Sequence, residues 1–194
     1  MRTLASWPLA LSLWVCLLVA QSLEAASFTL TPQQRDAALE MGRKSVIIDR
    51  FGGEWSVRGD GAAEGLVVMT PFYRLALASR NATFKNEELK QKDIDTLLKE
   101  QEGKLTLWAT LKGTKVDFAR FYTPVLVNGQ QQIKATFAQN ERTARREEDG
   151  GYTARCLYVF PADGLKPNEP MTLIVKDPDG KEVAKFALNL SAMR

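Results

Sequence analysis

The stretch 104–111, Lys-Leu-Thr-Leu-Trp-Ala-Thr-Leu, decides the fold. Leu105, Leu107, Ala109 and Leu111 alternate with Thr106, Trp108 and Thr110. Successive side chains of a strand point to opposite faces, so this period of two describes a half-buried β-strand with an apolar inner face. Upstream of Gly103 the longer apolar patterns follow helical spacing, and downstream the period of two persists. The composition shift near Gly103 is the best internal boundary of the chain.

Downstream, 116–127 reads as an extended segment interrupted at Pro124. Ile133, Ala135 and Phe137 alternate with Gln132, Lys134 and Thr136, which predicts one clean half-buried strand. Residues 152–160 are largely apolar on both faces, as in a strand placed mid-layer. Strands at 172–176 and 182–190 close the chain. Lys112-Gly113-Thr114, Asn128-Gly129, Asp149-Gly150-Gly151 and Asp177-Pro178-Asp179-Gly180 supply turn chemistry between them. Short strands joined in this way predict an antiparallel sandwich. The pattern resembles an immunoglobulin-like sandwich in a generic sense, without the paired cysteines of a true immunoglobulin domain.

Upstream, Thr31-Pro32-Gln33-Gln34 predicts a capped helix with Pro32 at its first position and Gln34 completing a capping box. Gly42 offers its end. A short strand or extended piece is expected at 45–49, another short strand at 55–57, and an apolar run follows at 66–69. Thr70-Pro71 repeats the cap-plus-proline device and predicts a second helix over 71–82. Asn86-Glu87-Glu88 is expected to open a third helix that runs to Gln101. The fold class is therefore α+β: N-terminal helices packed on a mostly antiparallel C-terminal β-sandwich.

The first residues have the layout of a secretory leader. Arg2 precedes the apolar run 9–20, and Leu23-Glu24-Ala25-Ala26 offers a small-residue cleavage site, favoured after Ala25. The run is too short to span a bilayer, which takes about 20 apolar residues. The expected organisation is a signal peptide over 1–25, a helical and short-strand region over 26–103, and a sandwich region over 104–194 that forms one compact unit with it. The expected location is exported, periplasmic or extracellular, with no transmembrane segment after cleavage. Cleavage removes Cys16 and leaves Cys156 alone, so no intramolecular disulfide is available to the mature chain.

The chain contains no histidine, the residue behind most catalytic triads, zinc sites and neutral-pH proton shuttles. Its net charge of +3 is spread along the sequence and predicts no nucleic-acid partner. No cofactor, metal site or catalytic residue is indicated. Cys156 lies between Ala154 and Tyr158, as a core thiol does. Glu87, Glu88, Asp93 and Asp95 interleave with lysines, as on an exposed face. Asp177-Pro178-Asp179-Gly180 lacks the further ligands of a calcium loop and reads as a tight turn.

Two binding candidates remain. Arg145, Arg146 and Glu147 belong to a charge run, 142–149, at a hairpin tip able to meet a charged partner, whether an envelope protein or a surface polymer. Trp108 stands among threonines on the polar face of its strand. It forms a ligand platform if exposed, or lies under the N-terminal helices. The leading expectation is a non-catalytic binding or interaction module. One alternative is an envelope enzyme using carboxylates or a Ser/Lys pair. Another is a structural component of an envelope assembly, built through exposed strand edges.

Overall fold

The computed structural model describes residues 28–61 and 63–194. The expected leader over 1–25 lies outside the described residues. The element order begins with α1 (Pro32–Lys44), β1 (Ser56–Val57), β2 (Asp60–Gly61), β3 (Ala63–Met69), α2 (Pro71–Phe84) and α3 (Gln91–Gln101). It continues with β4 (Lys104–Gly113), β5 (Thr123–Asn128), β6 (Gln131–Lys134), β7 (Phe137–Asn140) and β8 (Arg145–Arg146). β9 (Tyr152–Pro161), β10 (Met171–Lys176) and β11 (Glu182–Leu188) complete it.

Among the described residues the strands form two antiparallel sheets. One has the order β1-β3-β4-β9-β7, with β8 also paired to β9; the other has the order β2-β11-β10-β5-β6. Helices precede and adjoin them, so the predicted α+β sandwich is the fold. The inner face of β4 carries Leu105, Leu107, Ala109 and Leu111, all buried as the alternation requires. Across from it in register, Phe160, Tyr158, Cys156 and Ala154 of β9 are buried as well. Leu126, Leu173, Val175 and Phe186 close the core from the second sheet.

Both open sides of the sandwich are closed by one segment that changes sheets. Residues 56–61 give β1 to the first sheet and β2 to the second. Residues 131–140 give β6 to the second and β7 to the first. The single strand expected from the alternation 132–137 is therefore two strands in different sheets. A period of two survives the crossing, because inward and outward positions keep alternating on either layer.

Other expectations are corrected. The extended segment 116–127 is a strand only from Thr123, and its Pro124 lies beyond the end of β6, where one neighbour is missing. The strand expected at 45–49 is a 3-10 turn, Ser45–Ile47. Arg80 fixes that turn by donating from Nε to the Ser45 carbonyl (3.2 Å) and from Nη2 to the Ile48 carbonyl (3.4 Å). The third helix begins at Gln91, not near Asn86, whose φ of 56° breaks the chain there. Gly42 does not end α1. It is buried against α2, where an added Cβ would come within 2.6 Å of Ser79 Cβ and 2.9 Å of Arg80 N. Its missing side chain lets the two helices touch backbone to backbone.

The caps behave as predicted. Thr31 Oγ1 accepts from Gln34 N (3.2 Å) while Gln34 Oε1 accepts from Thr31 N (2.9 Å). Thr70 Oγ1 accepts from Tyr73 N (3.1 Å). At the last hairpin, Asp177 Oδ1 accepts from the amides of Asp179 (3.0 Å) and Lys181 (2.9 Å), a tight turn rather than a cation loop.

The helices gather at one end of the first sheet. α2 starts directly after Met69, the last residue of β3, and α3 ends just before Lys104, the first of β4. Trp55, ahead of β1, stacks on Tyr73 and Phe72 with centroids 4.5 and 6.1 Å apart. The opposite end of the sheet, near Gly113 and Tyr152, carries the β8–β9 hairpin. Ten residues of β4 separate the ends, a span of about 30 Å.

Candidate functional site

β4 and β9 alternate, so their outer face bears Trp108, Thr110 and Lys112 beside Leu157, Arg155 and Thr153. At the hairpin end this face forms a concavity of about 600 Å³. Five carboxylates line it: Glu64, Glu141, Glu147, Glu148 and Asp149. Three cations accompany them: Lys112, Arg145 and Arg155. The walls come from β3, β4, the β8–β9 turn and the segment after β7, so the site is assembled from positions distant in sequence.

The cations are already engaged. Lys112 Nζ lies 3.1 Å from Glu64 Oε1. Arg145 donates from Nε and Nη2 to Glu147 Oε1 at 3.2 and 2.9 Å. The Arg155 guanidinium sits 5.2 Å from the centroid of the Trp108 ring, within cation–π range. Its backbone amide donates to Glu141 Oε2 (2.8 Å). Hydrogen bonding from Arg145 holds the Glu147 carboxyl below the ordinary carboxylate range. Hydrogen bonding to Glu64, with added attraction from Asp149 and Glu147, holds the Lys112 ammonium above its ordinary value. Charge pairing and a carboxylate surplus thus coexist at this end of the sheet.

The residues singled out in the sequence are only partly brought together. Arg145 and Glu147 line the concavity. Arg146 follows Arg145 in β8, pairs in register with Tyr152 and is exposed. Neighbours in a strand face opposite ways, so it points away from Arg145. Trp108 is half-buried and adjoins the site through Arg155, which covers its ring. Glu64, Lys112, Glu141 and Arg155 were not singled out. Thr110 and Lys112 on β4 facing Arg155 and Thr153 on β9 were the available signal, a polar stretch of the outer face beyond Trp108 and Leu157.

Cys156 is fully buried, and burial pushes its thiol up from the ordinary value. That is the reverse of the depression that makes a cysteine reactive. Glu87 and Glu88 precede α3, and Asp95 accepts a hydrogen bond from Gln91 on the exposed helix face (2.9 Å). Among the described residues no group of three or more metal-ligating side chains is placed to hold an ion. No described helix is long and apolar enough to cross a membrane.

No protein-family model matches the chain. No curated protein matches it in sequence either. Among solved structures, it is similar to an IgNAR antibody domain C1 with a TM-score of 0.31 and 7% identity, over 53% of this chain and 84% of that one. A likeness of that extent carries no argument, and the sandwich stands on its own sheets and register.

Proposed function

We propose that this chain is an exported, non-catalytic binding module. Its recognition surface is the concavity at the hairpin end of the first sheet, and it takes a cationic segment of an envelope partner. The observation that carries the proposal is the lining: five carboxylates against three cations, with Arg145 and Lys112 already paired to two of those carboxylates. The surplus charge is negative, and a partner rich in lysine or arginine complements it. The leader-like layout of 1–25 supports export.

The enzyme alternative finds less support. A general acid at neutral pH needs a raised carboxyl pKa, whereas Glu147 is held down by Arg145. The anionic-polymer variant rests on the arginines of the tip, and of the two Arg145 is already paired with Glu147 while Arg146 has no ion-pair partner among the described residues.

Tryptophan emission supplies the test, because Trp108 reports through Arg155. Titration with a lysine-rich peptide is expected to change the emission, weaken with added salt, and vanish in Glu148→Lys/Asp149→Lys. A glutamate-rich peptide is expected to do nothing. Arg145→Ala/Arg146→Ala distinguishes the variants: an anionic partner is lost, while a cationic one is held at least as tightly. Equal response to both peptides, or an unchanged response in the charge-reversed protein, overturns the proposal.

A further inference from the structure

The ends of α1 and α2 carry an apolar knob beside an apolar groove, and the fold fills neither. Ile47 is 91% exposed, Phe84 75% and Ile48 50%. Ile47 and Ile48 are consecutive in and after the 3-10 turn, and Phe84 ends α2. The turn is not loose. Ser45 Oγ donates to the Gly42 carbonyl (2.8 Å), Ile48 N to the Ser45 carbonyl (2.9 Å), and Arg80 to both Ser45 and Ile48 carbonyls. The isoleucines are thus held outward by a specific set of bonds, when collapse inward would remove apolar surface from water. The groove, of about 830 Å³, lies between α1, α2 and the segment that leads into α3. Leu39, Ala82, Leu89 and Ile94 line it, with the buried Ser79. Its walls are as fixed as the turn. Ser79 Oγ donates to the Leu39 carbonyl (2.7 Å), which ties α2 to α1. The amides of Asn86 and Glu87 donate to the Thr83 and Ala82 carbonyls (3.0 and 2.9 Å), which holds the segment after α2. Arg43 lines the groove two residues before the turn, and Thr83 lines it one residue before Phe84, so knob and groove adjoin.

The charges around both features are near balance and unspent. Lys44 is taken up by Glu40 at 2.6 Å. Arg43, Arg50, Lys85 and Lys90 remain on one side of the ledger, and Asp49, Glu87 and Glu88 on the other; all are exposed. None of these forms an ion pair among the described residues. The signs are also segregated along the groove, with Arg43 on the α1 wall and Glu87 and Glu88 in the segment after α2. We propose that this face is an isologous dimer interface: the knob of each copy enters the groove of the other, and Arg43 of each copy meets Glu87 and Glu88 of the other.

Shape and charge favour a second copy over other occupants. A near-balanced surround rewards no strongly charged partner, since a polyanion or an anionic bilayer meets Glu87 and Glu88 along with the cations. In a two-fold contact, residue i of one copy meets residue j of the other and the reverse. Such a contact needs a patch that carries its own complement. This one does, with a projecting apolar group beside a recessed one, and free cations beside free carboxylates. The charges at the concavity are paired within the chain, whereas these find partners only across an interface. The inference goes beyond the binding role proposed above and does not rest on it. Joined through the helical ends, the two concavities stand at the far ends of the dimer, which gives a partner with repeated cationic segments two points of attachment.

The test uses the full chain, expressed from its first residue and purified in the form the cell leaves it. Sedimentation equilibrium at micromolar concentrations is expected to show monomer and dimer with no larger species, because an isologous contact closes on itself. Ile47→Glu/Ile48→Glu is expected to weaken the dimer about tenfold or more, with Phe84→Ser as the milder variant. Arg43→Glu alone and Glu87→Arg/Glu88→Arg alone are each expected to weaken it about tenfold, since each homodimer then sets like charges together. Mixed, these two proteins are expected to pair at close to wild-type strength, because the heterodimer restores both opposite-charge contacts. A misfolded variant would not recover on mixing, so the mixture separates lost binding from lost fold. Amide exchange in the wild-type protein is expected to slow with rising concentration at 43–50 and 82–91, and not at 145–151. A protein that stays monomeric at every concentration overturns the proposal. So do a dimer that Ile47→Glu/Ile48→Glu leaves intact, a mixture that does not pair, and protection confined to the hairpin end. Loss of peptide binding at the concavity leaves these readouts standing, and a monomer leaves the peptide titration standing, so the two proposals fail separately.

Discussion

The two ends of the first sheet use the same side chains to opposite effect. At the helical end Arg194 donates from Nε and Nη2 to Glu54 (3.1 and 2.7 Å), and its own amide donates to Glu54 Oε1 (2.8 Å). Its carbonyl accepts from Trp55 Nε1 (2.9 Å) and Thr70 Oγ1 (2.7 Å), and its guanidinium lies 5.3 Å over Phe72. At the hairpin end Arg145 pairs with Glu147. The first pair spans 140 residues and the second spans 2. A pair between distant segments exists only when the fold exists, so it reports on tertiary structure and stabilises it. A pair between near neighbours forms in the unfolded chain almost as readily, and what it shapes is local surface charge. One end is a lock, and the pair at the other shapes the charge of the surface proposed above for binding.

The largest break in this contrast comes from Gly42. Gly42→Ala drives a Cβ into Ser79 and the α2 backbone, and is expected to cost about 3 kcal/mol or more by overpacking. Gly150→Ala at the hairpin meets nothing within 4 Å and bears only the strain of φ 86°, about 1 kcal/mol. Urea denaturation of the two variants measures the difference, and equal losses would refute the claim that the helix crossing is the lock.

The strand that joins the ends gives the next test. Cys156 and Tyr158 lie on β9, and burial raises both pKa values. Folded protein therefore holds these protons while the unfolded chain releases its thiol proton near pH 9. Stability is full below that pH and falls as pH rises past it, by up to about 1.4 kcal/mol per pH unit for one group. Cys156→Ala is expected to flatten the onset. Thiol labelling of Cys156 is expected to accelerate in Gly42→Ala far more than in Gly150→Ala, because a fully buried thiol reacts through opening of the whole core. Labelling that follows the hairpin variant instead would show that the hairpin end opens the sandwich.

Much of the fold was legible in the sequence because its signals are local. Thr31 and Thr70 carry their caps within three residues, and the alternation of 104–111 needs only neighbours to define a face. What escaped depends on partners far away. Gly42 reads as a helix stop until α2 is laid against it. Val46, Ile47 and Ile48 have strand composition, and Arg80 fixes them in a 3-10 turn by taking the Ser45 and Ile48 carbonyls. Alternation through 132–137 cannot reveal a change of sheet. The same limit governed the site. Arg145 and Glu147 are two residues apart in the chain and were found together, while Glu64, Lys112 and Arg155 meet them only through strand register.

Ion-pair coupling is the finer measure. A double-mutant cycle on Glu54 and Arg194 is expected to give a coupling of about 1 kcal/mol, supported by bidentate geometry and partial burial. The cycle on Arg145 and Glu147 is expected to give none that denaturation detects, because Arg145 is exposed and the pair joins residues only two apart in the chain. Comparable couplings would mean that separation along the chain is irrelevant and that the two ends do not differ in kind.

The smallest effect is confined to one proton. Arg145 lowers the Glu147 pKa, so the carboxylate persists to lower pH than an ordinary glutamate. A depressed carboxyl pKa contributes stability above the unfolded value, and that contribution disappears as pH falls through the folded one. Glu147 is half-buried, but its partner Arg145 is exposed and only two residues away, so the global melting curve is expected to register almost nothing. Carbon-detected NMR titration of the Glu147 carboxyl sees the shift directly, and Arg145→Ala is expected to move its midpoint back toward the ordinary glutamate value while the melting temperature stays in place. A melting temperature that drops in acid alongside the Glu147 midpoint would make the hairpin pair part of the lock, and the concavity would then be a structural seam rather than the binding surface proposed above.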